Sequence, residues 1–133
     1  MSKKLLEPGL PRGFEDSFGK SLVIEKKIKE VIEKTFFRYG YTEIKTSPFE
    51  YSENIGGFLT DDLNDFSKDI FTFDDKDRKI SLRFDLSAPL ARVVSEKYLE
   101  FAFPFRRFQI AEVFRNETSK TGRGRYRSFL QGG

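Results

Sequence analysis

The chain has 133 residues, with 24 Lys plus Arg against 21 Asp plus Glu for a net charge of +3, and it contains neither cysteine nor histidine. That length suits one core and is too short for two. The missing residues exclude disulfides, Cys- or His-ligated metal centres and every nucleophile or general base that depends on an imidazole, so any chemistry must come from carboxylates, guanidinium groups, bound metal or positioning.

Residues 1–20 carry Pro8, Gly9, Pro11, Gly13 and Gly19, too much punctuation for a regular element, and read as an ordered arm anchored by Phe14. From Ser21 to Tyr39 the apolar positions Ile24, Ile28, Val31, Ile32 and Phe36 recur at helical spacing, with Ser21 placed to cap the start and Gly40 to close the end. Tyr41 to Thr46 alternates as a strand that Pro48 ends. Residues 52–69 hold Gly56, Gly57 and the acidic run Asp61, Asp62, Asp65 and Asp69, which suggests a solvated loop with one short helical turn. The run lacks the spacing and closing Glu of a calcium loop, so no metal ligand is assigned.

Ile70–Phe73 and Lys79–Asp85 flank the turn DDKDR and read as two antiparallel strands. In the second, Ile80, Leu82 and Phe84 share one face and Ser81, Arg83 and Asp85 the other, so Asp85 leaves on the polar side. Ser87 then suits the cap of a helix from about Ala88 to Leu99, and an aromatic connection, Phe101–Phe105, follows. No stretch is long and apolar enough to suggest a secretory signal or a membrane span, which points to a soluble cytoplasmic protein. The tally is an α+β layout of antiparallel strands with flanking helices.

The last stretch carries the chemistry. Phe108–Arg115 and Arg125–Gln131 both alternate around a Gly-containing polar loop, a hairpin signature that puts Arg125, Arg127, Phe129 and Gln131 on one face, near Arg115. Between residues 106 and 127 seven basic side chains face two acidic ones, a local charge of +5 in a chain of +3. Guanidinium groups for phosphate, a ring for a base and an amide for a polar ligand point to a nucleotide site.

In family order, PRGFED (Pro11–Asp16), the helix from residue 21 followed by Pro48, LRFDLSAPLAR (Leu82–Arg92), VFRNE and GRYRSFLQ resemble the N-terminal part of a class II aminoacyl-tRNA synthetase, closest to the histidyl-tRNA synthetases. The resemblance implies an arm (1–20) and a partial catalytic domain (21–133), with motif 1 at about 21–48, an amino-acid segment at 82–92 and motif 2 at about 108–131, truncated after the motif 2 hairpin. It implies ATP-dependent activation of histidine to histidyl-adenylate and transfer to tRNA, magnesium accompanying ATP, a homodimer through motif 1, and a tRNA acceptor end near the motif 2 loop. By position, Asp85, Leu86, Ser87 and Gln131 would bind the amino acid, Arg115 the α-phosphate and carboxylate, and Glu117, Arg125 and Phe129 the rest of ATP. Phe84 stands where the family has Pro, and Ser87 where it has Thr. The family's later motifs and anticodon-binding domain have no counterpart in these residues, so the chain reads as a fragment that is inactive alone. Two other functions fit parts of the pattern: a synthetase-like regulatory subunit of ATP phosphoribosyltransferase, and a non-catalytic RNA-binding module built on the basic hairpin.

Overall fold

In the computed structural model, which describes residues 5–59, 67–117 and 126–133, the longest element is helix α1 (Lys20–Arg38). Its end follows the sequence. Gly40 has φ 77°, its N–H donates to the Phe37 carbonyl (3.0 Å), and the Tyr41 N–H donates to the Phe36 carbonyl (3.1 Å). These are the paired reverse bonds of a Schellman motif, and the Phe36 and Tyr41 rings meet across it at 5.4 Å. Its start differs from expectation. Gly19 precedes the helix, and Ser21 donates its hydroxyl to the Phe18 carbonyl (3.0 Å) instead of accepting a helix N–H, because the helix begins one residue before it.

No residue of α1 is buried. The helix is held at its C-terminal end, where Phe36 stacks on Phe108 (centroids 4.7 Å apart) and Phe37 meets the same ring edge-on (5.1 Å). Phe108 and Val113 are fully buried and, with Ile55 and Leu86, form the apolar centre. Strand β1 (Thr42–Glu43) runs parallel to β5 (Arg107–Phe108), the one parallel pair among the described strands. The alternation from Tyr41 to Thr46 thus yields only two paired residues.

Strand β2 (Phe49–Tyr51) starts directly after Pro48 and passes into α2 (Ser52–Leu59), where the sequence suggests a loop. A glycine inside a helix costs about 0.5–1 kcal/mol, and the burial of Ile55 in the same helix offsets that. The acidic residues Asp61, Asp62 and Asp65 lie outside the described residues. Strands β3 (Thr72–Asp75) and β4 (Arg78–Leu82) form the expected hairpin around Lys76 and Asp77, and β2 adds antiparallel to β4.

The covered face of β4 is the polar one. Ser81 is 1 % exposed, and its hydroxyl meets Ser52 Oγ (2.7 Å) and Thr72 Oγ1 (3.0 Å). Arg83, 7 % exposed, donates Nε to the Glu112 carbonyl (2.7 Å) and Nη1 to the Thr46 carbonyl (3.1 Å). On the same face Glu50 takes both of its carboxylate oxygens to Arg92 Nε (2.8 and 2.7 Å). Buried polar groups are tolerable here because each finds a partner. Helix α3 (Ser87–Lys97) begins at Ser87, and Asp85, not Ser87, serves its first turn: Asp85 Oδ1 accepts the N–H of Ser87 (3.0 Å) and of Ala88 (3.3 Å). After α3 the aromatic connection folds on itself, with Phe101 stacked on Phe105 at 4.2 Å. The hairpin of β6 (Ile110–Phe114) and β7 (Ser128–Gly132) then completes the fold.

Candidate nucleotide site

Residues directly opposite in an antiparallel pair share a face. The register sets Phe129 against Val113 and Gln131 against Ala111, and the Arg115 N–H donates to the Arg127 carbonyl (2.8 Å), carrying the ladder onward. Arg115, Phe129 and Gln131 therefore rise from one side of the hairpin, as the alternation implies. The Arg115 guanidinium carbon lies 4.2 Å from the centre of the Phe84 ring and 5.0 Å from that of Phe129, and Nε donates to the Phe84 carbonyl at 3.5 Å. Arg115, Glu117, Tyr126 and Phe129 line a cavity of about 300 Å³.

Arg127 shares the parity but serves the arm. Its N–H donates to the Gly13 carbonyl (2.8 Å), Nη1 donates to the Arg12 carbonyl (3.1 Å) and Nη2 to Asn116 Oδ1, while the guanidinium lies over the rings of Phe71 (4.6 Å) and Phe14 (5.5 Å). Phe14 is an anchor as expected, its ring also 6.0 Å from that of Phe71. Next to it, a hydrogen bond to the Glu15 carboxylate pushes the Tyr126 hydroxyl above the usual tyrosine range. The arm thus braces one wall of the cavity.

The basic cluster is less of a surface than its charge suggests. Arg107 donates to the Gly133 carbonyl (2.5 Å), and burial lowers its pKa from the ordinary arginine value. Lys120, Arg123 and Arg125 lie outside the described residues. Of the described members, Arg115 is the one that lines the cavity. Burial likewise lowers the pKa of Arg83, against the opposing charge of Glu112.

Of the residues expected to bind the amino acid, Arg115 lines this cavity, while Asp85, Leu86, Ser87 and Gln131 do not. Leu86 is buried, Ser87 exposed, and one oxygen of Asp85 is committed to the start of α3. Gln131 borders instead a groove between α1 and the hairpin, and its Oε1 is buried with no hydrogen-bond partner among the described residues. Two members of the site are not expected from the sequence. Tyr126 sits between two arginines and gives no signal of its own, and Phe84 reads as one member of an apolar face, with nothing to link it to Arg115. Among the described residues no three acidic side chains converge as a metal site.

A family model described as Histidyl-tRNA synthetase matches residues 13–133. The chain belongs to that family. It is 49 % identical over 126 residues to a histidine–tRNA ligase of Pelagibacter ubique, covering 95 % of this chain and 27 % of that protein. The chain therefore spans about a quarter of that relative's length. Among solved structures, a histidyl-tRNA synthetase from Nostoc superposes with a TM-score of 0.77 at 26 % identity, covering 93 % of this chain and 27 % of the other. A Bacillus halodurans protein described as an ATP phosphoribosyltransferase regulatory subunit/histidyl-tRNA synthetase gives 0.80 at 25 % identity over 97 % of this chain and 32 % of the other. The α+β, class II synthetase-like fold follows from these matches, and no described helix is long and apolar enough to cross a membrane.

Proposed function

We propose that these residues form the nucleotide end of the active site of a histidine–tRNA ligase, which joins histidine to the AMP part of ATP as histidyl-adenylate, with pyrophosphate leaving, and passes the histidyl group to tRNA, with AMP leaving. The observation that carries this is a cavity bordered by a guanidinium, a carboxylate and an aromatic face, those of Arg115, Glu117 and Phe129. Adenylate formation brings a carboxylate against a phosphorus, and the two anions repel. A fixed cation and in-line placement answer that without a nucleophile or base from the protein, which suits a chain lacking histidine.

In this reading Arg115 meets the α-phosphate and the substrate carboxylate, Phe129 stacks on adenine and Glu117 accepts from its amino group. Arg125, outside the described residues, adds a second phosphate contact. Asp85 meets the substrate ammonium through Oδ2, since Oδ1 serves the helix start. Ser87 and the main chain of Leu86 complete that end. Gln131 supplies an amide whose Oε1, without a partner among the described residues, suits a donor on histidine. The tRNA acceptor end approaches the motif 2 loop, and the protein works in the cytoplasm as a homodimer through α1, whose Ile28 and Val31 stand 56 % and 65 % exposed.

ATP–pyrophosphate exchange by the full-length enzyme tests the assignment. Two charge-assisted bonds of about 1.5–3 kcal/mol each, lost in the transition state, predict that Arg115→Ala lowers exchange by roughly 10²–10⁴-fold. A loss below tenfold would refute it. The name of the Bacillus halodurans neighbour keeps a regulatory subunit as the second reading. That reading expects no exchange even with Arg115 intact, and an RNA-binding module expects salt-sensitive tRNA binding that ignores ATP.

A further inference from the structure

Phe84 has no substrate role in the scheme above, yet of the two rings against Arg115 it is the nearer, at 4.2 Å against 5.0 Å for Phe129. Its carbonyl also faces Arg115 Nε at 3.5 Å. One residue thus meets the same guanidinium twice, through a π face and through a backbone oxygen. We propose that Phe84 is a positioning residue for Arg115: with Phe129 it forms a two-ring slot that holds the guanidinium at the edge of the cavity shared with Glu117 and Tyr126. The inference rests on reading that cavity as the phosphate end of the adenylate site.

The backbone on both sides of Phe84 is pinned. Before it, Arg83 is tied to the carbonyls of Glu112 and Thr46, and its own carbonyl accepts the Phe114 N–H at 3.0 Å. After it, Asp85 closes onto the first N–H groups of α3. A ring hung between two such anchors, with only two side-chain torsions, has little freedom to leave. An arginine on its own samples many rotamers, most of them aimed away from a phosphate, and a slot removes those before substrate arrives.

The second ring has a specific use. Phe129 is 37 % exposed, and in the adenylate reading a base must take that exposed surface. A guanidinium leaning on Phe129 alone would be disturbed whenever the base arrived. Phe84 makes its own contact with Arg115, through ring and carbonyl, and keeps it throughout. Proline, the residue that the related pattern carries here, has no π face and cannot do this.

The test compares Phe84→Leu and Phe84→Tyr in ATP–pyrophosphate exchange by the full-length enzyme. A cation over a ring predicts that Phe84→Leu lowers kcat about tenfold with KM for ATP within about twofold, while Phe84→Tyr stays within about twofold of the parent. In an Arg115→Lys background, Phe84→Leu should cost less than about twofold, because a compact ammonium does not stack as a planar guanidinium does. A kcat unchanged by Phe84→Leu, an equal loss in the Leu and Tyr variants, or a Leu penalty undiminished in the Arg115→Lys background would each overturn the proposal. A second readout is independent of turnover. The Nε–H resonance of Arg115 should sit upfield through the ring current of Phe84 and move downfield in Phe84→Leu; an unmoved resonance overturns the proposal. If Arg115→Ala abolishes exchange while Phe84→Leu is silent, the adenylate reading survives and only the role of Phe84 fails. If Arg115→Ala is itself silent, the reading of the cavity fails.

Discussion

Replacing Gly13 by alanine probes how firmly the N-terminal arm is fixed to the hairpin. Gly13 has φ +83°, and an added Cβ would lie 2.6 Å from both Cγ and Cδ of Arg127. Arg127 has little room to yield, since it holds the carbonyls of Gly13 (2.8 Å) and Arg12 (3.1 Å), bonds Asn116 and lies over two rings. A left-handed alanine costs about 1–2 kcal/mol. Surrendering one charge-assisted hydrogen bond adds about 1.5–3 kcal/mol, so docking of the arm should weaken by about 2.5–5 kcal/mol. Gly40 supplies the internal reference: it has φ +77° but no atom within 4 Å of an added Cβ. Gly40→Ala should therefore cost only the conformational part, about 1–2 kcal/mol.

The assay is amide hydrogen exchange at Arg127, whose N–H is bonded to the Gly13 carbonyl and so reports detachment of the arm. At 1.4 kcal/mol per tenfold, Gly13→Ala should speed that exchange by at least about sixtyfold, limited by the free energy with which the arm docks. Urea denaturation would give the two variants' global costs in parallel. If Gly13→Ala and Gly40→Ala proved equal within about 0.5 kcal/mol by both measures, the close approach of Arg127 would not matter energetically, and its role as the clamp on the arm would be lost.

Glu50→Gln should destabilise the fold by about 2 kcal/mol in urea titrations, less than for a fully buried pair because the Arg92 side chain is 31 % exposed. Glu96→Gln removes the other partner of Arg92 at a carboxylate whose side chain is 62 % exposed, and should cost no more than about 0.5 kcal/mol; equal losses would contradict the ranking. Sedimentation velocity over a range of concentrations should show self-association through the exposed stripe of α1, and Ile28→Lys should abolish it. A monomer at every concentration would count against the dimer.

How much of this was legible in the sequence varies element by element. Helix α1 and its close at Gly40 depend on residues within a few positions of one another, so periodicity and one glycine were sufficient. The same holds for the shared face of Phe129 and Gln131, since parity along a strand is local. Helix α2 was obscured by Gly56 and Gly57, because the burial of Ile55 that offsets them comes from packing on β4 and α3. The alternation of β4 defined two faces but not which would be covered, and partners as distant as Thr46 and Glu112 chose the polar one.

The chain order by itself determined the α+β character, the hairpin that carries Arg115 and the lack of an imidazole among these residues, since each is a property of composition or of near neighbours. Only the tertiary structure decided that Arg127 would clamp the arm while Arg115 faced the cavity, that Asp85 would serve the start of α3, and that Phe84 would lie over a guanidinium thirty-one positions away. Arginines of one hairpin look alike to any local rule. What separates them is the ring, carbonyl or carboxylate that a distant segment brings within reach.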